Sequence, residues 1–120
     1  MDRREPTMYA EKRYEPAEMK AKLMEEFKNS PCTGITFKHQ VLWELGEAKT
    51  LLLIFEKWIH LGRRNSEAVN VVILLTEYQG YQGADLIFTH QYTDQLVEAV
   101  VRAMKNLGFA EGKPKPLFNP

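Results

Sequence analysis

The chain has 120 residues, 44% of them apolar and 27% charged, with 16 basic and 16 acidic side chains and a formal net charge of zero. A chain of this length and balance makes one domain with its own core, and its charge carries no basic stripe of the kind a nucleic-acid binder shows. No apolar run exceeds the length of Leu51 to Phe55, far below the roughly 20 residues that cross a bilayer, and the single cysteine, Cys32, excludes an internal disulfide or a CxxC metal site.

Residues 1–14 are polar and mixed in charge and read as a flexible arm. Their charged start leads into no apolar stretch, so no signal peptide is expected. Together with the lone cysteine this predicts a cytoplasmic protein with no membrane segment.

Glu15-Pro16 opens the first helix, because proline at the first helical position loses only an N–H that would be unpaired there. Met19, Leu23 and Phe27 recur every four residues as its apolar stripe. Asn29-Ser30-Pro31 ends it, since the residue before proline is driven out of the helical region.

From Ile35 the period changes to two. Ile35, Phe37, Val41, Trp43 and Leu45 are expected on one face of a strand, with His39 among them; Thr36, Lys38, Gln40 and Glu44 fall on the other. Leu51 to Leu61 fits two readings. Leu51, Leu52, Phe55, Trp58 and Ile59 make a helical face, whereas Leu51 to Phe55 is apolar all round and lies between turn signals. A central strand is the favoured reading.

Gly62 to Ser66 has hairpin length. Val69 to Tyr78, rich in β-branched residues, is the clearest strand, and Ala84 to His90 reads as a shorter fourth. Thr93-Asp94 opens the last helix, with Leu96, Val97, Val100, Met104 and Leu107 as its stripe and Gly108 as its C′ residue. The expected fold is α+β: an N-terminal helix, a four-stranded antiparallel meander and a C-terminal helix packed on the sheet, occupying residues 15–109. Residues 110–120 contain three prolines and read as an extended tail.

Phe55-Glu56-Lys57-Trp58, then the glycine-bearing loop with Arg64-Asn65, then Val69-Asn70-Val71-Val72, resembles a run in a small bacterial domain family of unknown function. The resemblance covers residues 15 to 107 in layout and about a dozen positions in detail. A glycine-rich stretch expected after the family's last strand is missing here. The resemblance implies the fold and carries no chemistry with it.

No motif fixes a reaction, so no catalytic residue, cofactor or metal is expected. The three histidines, His39, His60 and His90, are scattered without ligand spacing. Cys32 follows a helix C-terminus, where the dipole disfavours a thiolate, and reads as a passive small residue. Glu56 and Glu77 are expected to face outward with Lys38, Lys49 or Lys57 as partners. The candidate ligand or interface residues are His39, Trp43, Glu56, Trp58, Tyr78 and Tyr81. Aromatics of this kind, with Tyr92, either anchor an interface or line an apolar pocket.

Two function classes follow. The first is a non-catalytic module that self-associates or binds a protein partner through its sheet. The second is a small apolar-ligand binder, or an enzyme, with a pocket between sheet and helices involving His39 or Glu56. The second and third strands are apolar on both faces, and two helices can cover only one, so a homodimer is expected to bury the other, with the N-terminal arm or the proline-bearing tail as the alternative cover within one chain.

Overall fold

The computed structural model describes residues 7–45, 48–60, 62, 64–78, 80–89 and 93–112. The elements in chain order are β1 (Thr7–Ala10), α1 (Pro16–Lys28), β2 (Thr36–Leu45), β3 (Ala48–His60), β4 (Ser66–Tyr78), β5 (Tyr81–Phe88), α2 (Asp94–Asn106) and β6 (Ala110–Glu111). The strands form one sheet in the order β2-β3-β4-β5-β1-β6, and every pairing is antiparallel.

The α+β class and the β2–β5 meander are as expected, but among the described residues the sheet has six strands rather than four. Part of the expected flexible arm is β1. Its Met8 pairs with Ala84 and its Ala10 with Gln82, and both side chains are buried. Two apolar residues at a spacing of two are enough to seal the sheet beyond β5. Part of the expected tail is β6, which pairs with β1 while Gly112 N–H donates to the Thr7 carbonyl at 2.8 Å. Neither helix is therefore terminal: α1 follows β1 and α2 precedes β6. Residues 1–6 of the expected arm and 113–120 of the expected tail, and also His90 and Tyr92, lie outside the described residues.

The apolar run of β3 is a central strand, hydrogen-bonded to β2 on one side and β4 on the other. One face of the sheet carries Leu51, Leu53 and Phe55, then Val69, Val71, Ile73 and Leu75, then Ala84, Leu86 and Phe88, all buried. Both helices cover this face. Met19, Leu23 and Phe27 of α1 and Leu96, Val100 and Met104 of α2 complete its core. Phe55 is the centre of an aromatic cluster, with Phe27 edge-on at 5.0 Å and Phe37 at 5.7 Å between ring centroids. The helices lie side by side, and Asn106 donates to Glu26 at 2.6 Å.

Tyr14 fastens the connection from β1 to α1. Its backbone N–H donates to Gln82 Oε1 at 3.2 Å, and Gln82 Nε2 returns a bond to its carbonyl at 3.4 Å. Gln82 is buried, so this reciprocal pair meets the need of a buried amide for partners. The Tyr14 hydroxyl donates to the Leu107 carbonyl, and its ring stacks on Phe109. Thr93 caps α2 by accepting from Leu96 N–H at 3.2 Å. Gly108, at φ 97°, turns the chain so that Phe109 N–H reaches the Met104 carbonyl.

The register of β2 corrects the expected facing of that strand. Phe37 pairs with Phe55, but the next paired residue is His39, opposite Ile54; Lys38 is an extra residue in a β-bulge. Phe37 thus stands on the helix side. His39, Val41 and Trp43 stand on the opposite side with Ile54, Leu52 and Thr50. A helix of 13 residues is about 20 Å long and a strand of 13 about 43 Å. The helices therefore cannot follow the long strands to their ends, and Leu42, on the helix side, is 43% exposed.

Candidate interaction face

The second face of the sheet is built by the alternate residues of the same strands. Its rows follow from the ladder. His39, Ile54, Val72 and Ile87 make one row, and Val41, Leu52, Leu74 and Asp85 the next. These two rows form an aliphatic band across four strands. On one side of the band stands Trp58, opposite Ala68. On the other side lies the row Trp43, Thr50, Thr76 and Gly83, and beyond it the pair Tyr78 and Tyr81.

Among the described residues no element covers this face. Trp43 is 47% exposed, Trp58 56% and Tyr78 48%, and Ile87 is exposed as well. Tyr78 and Tyr81 stack with centroids 4.8 Å apart. Gly83 makes room for that stack: a Cβ there would stand 3.0 Å from Tyr78 Cε2.

All six candidate residues lie on this one face, Trp43, Tyr78 and Tyr81 at one end and Glu56 and Trp58 at the other, with His39 in the aliphatic band. His39 is exposed. A pocket between sheet and helices would be lined by the other face, where Leu53, Phe55 and Val71 are closely packed. Cys32 is buried in that core. Glu77 approaches Arg13 at 3.9 Å. Among the described residues no group of three or more His, Cys, Asp or Glu side chains comes together as a metal site requires. No helix among them is long and apolar enough to cross a membrane.

Glu56 is the carboxylate that stands on β3 beside Trp58 on this face. It accepts from Lys38 Nζ at 2.6 Å and from Trp58 Nε1 at 3.0 Å, and its side chain is 15% exposed. The Lys38 hydrogen bond holds its pKa below the usual carboxylate value of 4.5, helped by the Lys38 charge and the Trp58 indole and opposed by partial loss of hydration. A carboxylate with a lowered folded-state pKa stabilises the fold above its unfolded pKa, and that contribution is lost as pH falls through the folded value. The expected result is a loss of stability on acidification from pH 4.5 downward that is smaller in Glu56→Gln. Urea melts at stepped pH check it, with Trp58 fluorescence reporting release of the indole; identical pH profiles would remove Glu56 from the account.

Val41 and Ile87 are aliphatic members of this face that the sequence does not single out. Their facing depends on the bulge and on the β4–β5 register, which period alone does not reveal. Compared with known proteins, the chain matches no family model, no curated protein and no solved structure.

Proposed function

We propose that this chain is a non-catalytic module that binds protein, a copy of itself or another chain, through the open face of its sheet. The observation that carries this reading is the exposure of Trp43, Trp58 and Tyr78 beside an aliphatic band on a face that no described element covers. Monomers rarely leave contiguous apolar patches beyond a few hundred Å² in water. Half-exposed tryptophan and tyrosine beside aliphatic neighbours are the side chains that anchor protein contacts, because they bury much area for little rotamer entropy.

The experiment is site-specific photo-crosslinking in cells that make the full chain. A benzophenone amino acid at position 58 should give discrete covalent adducts with protein. The same probe at Glu98, exposed on α2, should not. Equal labelling from both positions, or none from position 58, would overturn the reading.

A further inference from the structure

Resting on that reading, we infer that the occupant of the open face is a second copy of this chain, stacked sheet against sheet about a two-fold axis. Three observations select it. The first is area. Four strands, β2 to β5, span about 19 Å, and the rows from Trp58 to Tyr78 run about 33 Å along the strands, a footprint of about 600 Å². Two such faces bury about 1,200 Å², the lower end of what stable, specific protein pairs bury.

The second is charge. The described charges on this face are few: Lys38 neutralises Glu56 within it, while Asp85 accepts from the neutral hydroxyl of Thr7 at 3.0 Å and keeps its negative charge. The chain as a whole is neutral. Such a face offers little field to a strongly acidic or basic partner, and a two-fold axis near Ile54 keeps the two Asp85 carboxylates about 13 Å apart along the strands.

The third is shape. Trp58, 56% exposed and with its indole turned toward Glu56, stands at one end of the band. At the other end Thr50 and Thr76 make a low floor between Trp43 and the Tyr78–Tyr81 stack. A two-fold axis crossing the strands near Ile54 brings each Trp58 over Thr50 of the other copy, and the row of Ile54, Val72 and Ile87 meets its own copy between them. The surface is thus knob at one end and socket at the other, which is what a self-complementary two-fold contact requires. Aligned sheets pack in this way about 10 Å apart.

Sedimentation velocity on the full chain tests this. At about 100 µM the expected mass is twice 13.9 kDa. Trp58→Ala, which removes the knob, and Thr50→Arg, which fills the socket, should each raise the dimer dissociation constant at least about tenfold. Both should keep the far-ultraviolet circular dichroism of the parent, since Trp58 is mostly exposed. Glu98→Arg, on the helix side, should leave the dimer as it is. A parent chain that stays monomeric overturns the second-copy inference; adducts from position 58 with a different protein would then leave the interaction reading standing. A dimer indifferent to both Trp58→Ala and Thr50→Arg overturns the inference as well, and without position-58 adducts it takes the interaction reading with it.

Discussion

Phe55→Ala should cost about 3–5 kcal/mol of folding free energy, the range for truncating a fully buried aromatic. Phe55 has no exposed surface and sits where β3, α1 and β2 meet, with Phe27 and Phe37 both edge-on to its ring. The ring's removal therefore forfeits transfer energy and two edge-to-face contacts. It also leaves a cavity whose walls belong to three elements that cannot close together. Domains of this size are stable by about 5–15 kcal/mol, so the variant should be marginal at room temperature. Urea denaturation followed by circular dichroism measures it. A loss below about 1 kcal/mol would mean that the site collapses freely and that the aromatic cluster does not tie α1 to the sheet.

The second large effect is expected at the other edge of the core. Met8→Ala should cost about 2–5 kcal/mol, because Met8 is completely buried on the helix face of the sheet. A residue in a solvated arm would change stability by no more than about 0.5 kcal/mol. The two outcomes are well separated. The same melts decide between them, and amide exchange adds an independent check. Residues 7–10, hydrogen-bonded to β5, should exchange slowly in the parent and faster in the variant.

The central strands were legible because their pattern is physical over many residues. Leu51 to Phe55 is apolar on all sides, and only a strand flanked by two others and faced by helices can hide half of it. The ends were not legible. Met8 and Ala10 are two apolar residues within a charged stretch, and β6 has only two residues; both owe their conformation to a neighbour distant in sequence. For the candidate face, Glu56 and Trp58 shared a side by simple alternation. Tyr78 and Tyr81 met because a hairpin joins their strands. His39 and Trp43 were placed beside Phe37 by the same alternation, and the structure separates them from it. A bulge conserves the local pattern on each side of itself and changes only the phase between them, so composition carries no trace of it.

That bulge has a consequence for how the chain tolerates change in length. β2 holds one residue more than its ladder with β3 uses, and among the described residues it has a strand on only one side. A deletion of one residue between Phe37 and Trp43 can be taken up by closing the bulge. Only side chains between the deletion and Lys38 then change sides, and the pairings of Phe37 with Phe55 and Trp43 with Thr50 persist. In β3 or β4, paired on both flanks, the same deletion has no spare residue to consume and must turn over half a strand. The outer margin of the sheet is where length can drift while the tryptophans keep their places.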